Sequence, residues 1–120
     1  MALFTKSIQK MKSKQDGIRI CIMRRPQADL DWDIWIPHLA PSDEVLTLRH
    51  SGQMTFEEHR KWFKKNVLQK KSEYIDVIID LALNRDVTLL CWEKNPLECH
   101  RSWVANECSK KASGLKVVIK

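Results

Sequence analysis

The clearest apolar run in the chain, Val87 to Trp92, predicts a short strand buried on both faces of a parallel sheet. Polar residues and Pro96 stop it. From Cys99 the spacing becomes helical, with Val104, Ala105, Cys108 and Ala112 on one face and Gly114 as terminator. Upstream, Ile18, Ile20 and Ile22 alternate with Arg19, Cys21 and Met23, which predicts a second strand over Gly17 to Met23. Leu3 to Ile8 reads as an edge strand, joined to the second by the lysine-rich connection Gln9 to Asp16, and Leu115 to Ile119 reads as the last strand. In Asp29 to Ile36 the alternation is imperfect; Trp32 and Trp35 are expected to pack over the core while the aspartates stay in water.

Three helices complete the pattern. Pro41-Ser42 opens a short one with Asp43 and Glu44 in its first turn, where negative charge is favoured. Thr55-Phe56-Glu57-Glu58 fits a capping box, and a helix follows to about Gln69 with Phe56, Phe63 and Val67, joined by Trp62, as its apolar face. Glu73 to Leu83 is the next, with Tyr74, Ile75, Ile78, Ile79, Ala82 and Leu83 apolar and Asn84 at its end. Strands separated by helices need crossover connections. The expected fold is therefore α/β, one three-layer domain over residues 1–120 with a mostly parallel sheet flanked by helices.

Composition narrows this picture. A chain of 120 residues, 43% hydrophobic and 30% charged, buries roughly two-thirds of its unfolded surface without metal or disulfide staples. The basic N-terminus lacks an apolar signal segment and no stretch has the length of a membrane span, so a cytoplasmic location without membrane attachment is expected. There the four cysteines are expected to be reduced, their spacing to be read as chemistry, metal or packing rather than disulfides. Cys108, on the buried helix face, is expected to be a small core residue.

The strand-to-helix junction gathers the candidate chemistry. Free N–H groups at a helix start face the space beyond a strand's carboxyl end, the usual ligand crevice of an open α/β sheet. Cys91, Glu93, Cys99, His100 and Arg101 all fall there. Arg101 lies on the helix face that should be buried, so it needs a carboxylate, a backbone carbonyl or a bound anion. If the second strand runs parallel to the Val87 strand, it delivers Arg24 and Arg25 to the same edge.

Leu89-Leu90-Cys91-x-Glu93 and Cys99-His100-Arg101 resemble the signature of the YeaO-like family, a domain of unknown function. Thr5-Lys6-Ser7-Ile8, Arg19-Ile20-Cys21-Ile22-Met23-Arg24, and Trp35 followed by Leu39-Ala40-Pro41-Ser42 extend the similarity over nearly the whole chain. The resemblance implies a small intracellular α/β domain, mostly prokaryotic, with no settled activity. Where many members carry Trp-Pro-Arg-Gly, this chain has Arg24-Arg25-Pro26-Gln27.

Three functional readings follow. A formal net charge of +6, a pI of about 9.3 and a basic crevice favour binding of a phosphate-bearing small molecule, a nucleotide or nucleic acid, through Arg24, Arg25, His100 and Arg101. A second reading makes Cys99 or Cys91 a nucleophile with His100, Arg101 and Glu93 around it, since a thiol at a helix start beside cations has a lowered pKa. Adjacent Cys99 and His100 would nevertheless point about 100° apart on a regular helix. A third puts zinc on Cys91, Cys99 and His100 with Cys21 or Glu93 as fourth ligand, although the seven-residue gap is no finger spacing. A structural knot of hydrogen bonds is the plain alternative. The cations of residues 56–71 are expected to form a solvated face. The sequence identifies neither a cofactor nor an oligomeric state, and assigns no metal.

Overall fold

In a computed structural model, which describes all 120 residues, five parallel strands stand in the order β3-β2-β4-β1-β5. They are β1 (Ala2–Ser7), β2 (Ile18–Cys21), β3 (Ile34–Trp35), β4 (Val87–Cys91) and β5 (Lys116–Val118). The helices are α1 (Asp43–His50), α2 (Phe56–Phe63), α3 (Ser72–Asn84) and α4 (His100–Lys111). The expected three-layer α/β domain is the one observed.

The apolar run at residues 87–91 becomes the central strand because all five of its residues are buried. It pairs with β1 on one side and β2 on the other. The expectation that Leu3 to Ile8 is an edge strand is corrected: β1 lies inside the sheet, and β3 and β5 are the edges. Thr5 and Ser7 concealed this, because they are polar yet fully buried, their hydroxyls taken by the backbone of Lys120 and Trp92.

The two faces of the sheet are unequal. One carries a cluster of 20 buried apolar residues, in which Leu3, Ile20, Ile22, Val87 and Leu89 meet Phe63, Ile75, Ile78, Ala82, Val104 and Cys108. The other has only Ile8, Cys21 and Leu90, covered by Met23, Leu30 and Trp32. That second face holds a charged network instead. Arg19 is 2% exposed and donates to Asp16, which also takes Lys6 Nζ at 2.9 Å. Burial alone would raise the Asp16 pKa, but hydrogen bonds from Ser13, Lys6 and Arg19 outweigh it and hold the carboxyl below its ordinary value. Gly17, next along the chain, lets the backbone pass close to Asp86: its φ of 64° is left-handed, and a Cβ there would overlap the Asp86 carbonyl.

The capping box at Thr55 and Glu58 forms as expected, but the helix it opens departs from α geometry at Lys64–Leu68, where the turn widens to a π-helix. Trp32 covers the smaller cluster, whereas Trp35 is half-exposed, its indole N–H donating to the Met23 carbonyl at 2.7 Å. The aspartates Asp29, Asp31 and Asp33 are exposed as expected, and Asp33 also accepts the Arg19 backbone N–H at 2.8 Å. No helix is long and apolar enough to cross a membrane.

Candidate functional site

Cys91 is the last residue of β4, and Cys99 and His100 open α4 eight residues later. The connection folds back because Asn95 caps the short turn Pro96–Glu98, whose Pro96 carbonyl accepts Ser102 Oγ. Helix α4 starts at His100, and Cys99 before it is extended, with φ −124° and ψ 141°. The 100° divergence expected of two neighbours on a helix therefore does not apply. Cys99 Sγ lies 3.9 Å from His100 Nδ1, and one side-chain donor atom each from Cys91, Cys99 and His100 lie within 4.8 Å of one another.

The sulfurs of Cys91 and Cys99 meet directly, across Cα atoms 7.1 Å apart. Strand end and helix start bring both thiols to one point, but that Cα separation exceeds the about 4.4–6.8 Å that disulfides usually span, so the contact does not overturn the expectation of reduced cysteines. Cys21 and Cys108 are free and buried. Burial pushes the Cys108 thiol up to about 12, as suits the core residue it was expected to be.

Arg101 is fully buried. Its Nη1 donates to the Glu93 carbonyl at 2.6 Å and toward Cys91 Sγ at 3.4 Å, and Nη2 donates to the backbone oxygens of Lys120 at 3.2 Å and Lys94 at 3.4 Å. Of the three partner types expected for this guanidinium, it takes backbone carbonyls. Glu93 joins it through main chain, not carboxylate.

Beside this knot lies a cavity of about 430 Å³. Cys99, His100, Arg24, Arg25 and Glu93 line it, so parallel strands do bring the two basic clusters to one edge. Arg101, expected among the ligand-binding residues, does not. The Arg24 Nε donates to the Pro41 carbonyl at 2.7 Å, and Arg25 forms an exposed pair with Asp43 at 2.9 Å. Helices α1 and α2 add Arg49, His50 and His59, which the sequence reading missed. Periodicity does not single out Arg49, whose guanidinium is held by the Met54 carbonyl at 2.9 Å and over the Phe56 ring. His59, three residues after Phe56 and four before Phe63, lies on the apolar face of α2, a signal that could have found it.

Both buried histidines are held neutral. His100 Nε2 donates to the Ile22 carbonyl at 2.6 Å, leaving Nδ1 unprotonated. Its pKa falls to about 4, mainly through burial, against which the Ile22 bond works. His59 packs edge-on to Trp103 with ring centroids 5.0 Å apart, and burial, with Arg49 nearby, lowers its pKa to about 4. A histidine depressed from 6.5 stabilises the fold above pH 6.5 and loses that contribution as the unfolded chain takes up the proton first. Stability measured by urea unfolding should therefore decline between pH 6.5 and 4. In His59→Phe the decline should be shallower by about 2–3 kcal/mol, at about 1.4 kcal/mol per pKa unit; an unchanged slope would show that His59 is not buried neutral.

Among known proteins, a family model described as the active DUF488-N3 subclade matches residues 3–112. No curated protein and no solved structure matches the chain.

Proposed function

We propose, for a chain that belongs to the DUF488 or YeaO-like family, a domain of unknown function, that the cavity at the carboxyl edge of the sheet binds a phosphate-bearing ligand such as a nucleotide or a nucleic-acid end. The observation that carries this reading is the convergence of Arg24, Arg25 and Arg49 on a cavity that Cys99 and His100 also line. Its volume of about 430 Å³ lies within the range of small-molecule sites.

The arginines differ in how readily they turn to a ligand. Arg24 commits only its Nε, to Pro41, so its terminal nitrogens remain for an anion. The Arg25–Asp43 pair is solvent-exposed and therefore weak enough to exchange for a phosphate. The first N–H groups of α4 add a favourable dipole. Glu93 and Glu98 on the same lining oppose a bare phosphate ion and favour a ligand with polar, uncharged parts as well. Trp92, 41% exposed on the lining, offers an aromatic surface of that kind.

The test is a fluorescence titration of the full chain with an adenine nucleotide and with a short single-stranded oligonucleotide, each at two salt concentrations. Arg24→Ala and Arg25→Ala should each weaken binding about tenfold, as loss of a charge-assisted hydrogen bond does. Lys64→Ala and Lys65→Ala, exposed on the π-helical turn, should change it less than about twofold. Equal losses in all four would mean that net charge alone attracts the ligand. No binding by the parent would end the proposal.

A further inference from the structure

We infer that Cys91, Cys99 and His100 are three ligands of a thiolate-preferring divalent cation, zinc in class, whose fourth coordination position opens toward the cavity. This does not rest on the phosphate reading, because the three ligands are distinct from the arginines. Two sulfurs and one imidazole form a donor set that zinc takes where a fourth position is kept for water or substrate. Oxygen-seeking magnesium and calcium are disfavoured by it.

Four observations point to a metal over a pair of plain thiols. The three donor atoms already converge within 4.8 Å, on a strand end and a helix start rather than on free loops. The Cα atoms of Cys91 and Cys99 are 7.1 Å apart, beyond the range of about 4.4–6.8 Å that disulfides usually span. That spacing suits two thiolates that share a third atom. His100 gives its Nε2 proton to the Ile22 carbonyl, so the lone pair of Nδ1 is presented on the side of Cys99, the arrangement that orients metal-bound histidines. Arg101 Nη1 lies 3.4 Å from Cys91 Sγ, where its N–H favours the thiolate form that a metal requires.

Cys99 and His100 line the cavity and Cys91 does not, so a bound ion would offer its open position to the cavity's contents. Direct sulfur–sulfur bonding and metal coordination are exclusive uses of the same sulfurs. The site is therefore tested in the reduced protein.

Cobalt(II) added to the reduced full chain should produce sulfur-to-cobalt charge-transfer absorption in the near ultraviolet and tetrahedral visible bands, both removed by one equivalent of zinc. Cys91→Ser, Cys99→Ser and His100→Ala should weaken binding more than about a hundredfold, exceeding the loss usual for an outer partner of a ligand. Cys108→Ser, buried in the core away from the cavity, should leave the spectrum intact. If a variant fails to fold, the parent spectrum still decides, since the charge-transfer band requires thiolate on the metal. Absence of that band in the reduced parent would overturn the inference. So would its survival in both serine variants, or rapid alkylation of Cys99 in cobalt-saturated protein, which would return Cys99 to the role of nucleophile.

Discussion

Arg101→Ala is expected to lower the free energy of unfolding by about 3–5 kcal/mol, a large part of the total for a domain of this size. The guanidinium is wholly buried and satisfies carbonyls from Glu93, Lys94 and Lys120 at once. Alanine would leave a void and strip those oxygens of a charged donor, each loss carrying its own desolvation cost. Arg101→Lys should recover little, because one ammonium cannot reproduce a planar fork that joins two backbone segments, Glu93-Lys94 and Lys120. Urea unfolding monitored by tryptophan fluorescence reads the effect. An alanine variant within about 0.5 kcal/mol of the parent would mean that the knot does not hold the β4–α4 connection.

The second large effect is expected on the opposite face, where Asp16→Ala should also cost about 3–5 kcal/mol. The substitution strands Arg19, 2% exposed, without its carboxylate, leaving only the Asp31 carbonyl at 3.1 Å for the guanidinium. Asp16 also gives its side chain to the Ser13 N–H and closes the turn before Gly17, so the entry into β2 loosens with it. Because its folded pKa lies below the ordinary 3.8, its contribution is complete above that value and lost as pH falls through the lower folded value. Acid titration of the parent should show this loss below about pH 4. Asp16→Asn should remove that component while keeping the size of the side chain. A variant whose acid limb matches the parent would show that the ion pair contributes nothing.

The contrast between Arg101 and Asp16 explains what was legible in the sequence. Arg101 betrayed itself by period: it stands four and seven residues before Ala105 and Cys108, on the one face of α4 that must be buried. Asp16 had no such signal, being the single acid in a lysine-rich connection whose composition resembles any exposed loop. It is buried because β1 and β4 bring Lys6 and the Thr88 hydroxyl around it, beside its near neighbour Arg19. The same limit applies to the site. Cys91, Cys99 and His100 were readable as a group because a strand–loop–helix junction is local in sequence. The Arg49 contribution depends on how α1 closes over the sheet edge, which periodicity does not encode, while His59 could have been read from its place between Phe56 and Phe63 on the buried face of α2. Apolar spacing found the helices well, but only the pairing registers distinguish an inner strand from an outer one, as the misplacement of β1 shows.

The strand order has a further bearing on how the chain reaches this state during synthesis. β1 and β2 emerge from the ribosome first, yet they never touch as neighbours; β4 stands between them, pairing Leu3 and Ile18 alike with Val87. Until residue 87 is made, the two have no shared partner, and the only early pairing available is β2 with the two-residue β3. Closing the β1–β4 ladder spans a separation of more than eighty residues, an entropic cost met late and all at once. Nascent chains arrested before residue 87 should thus contain helices without a protease-resistant sheet, while those extended past Cys91 should gain resistance in a single step.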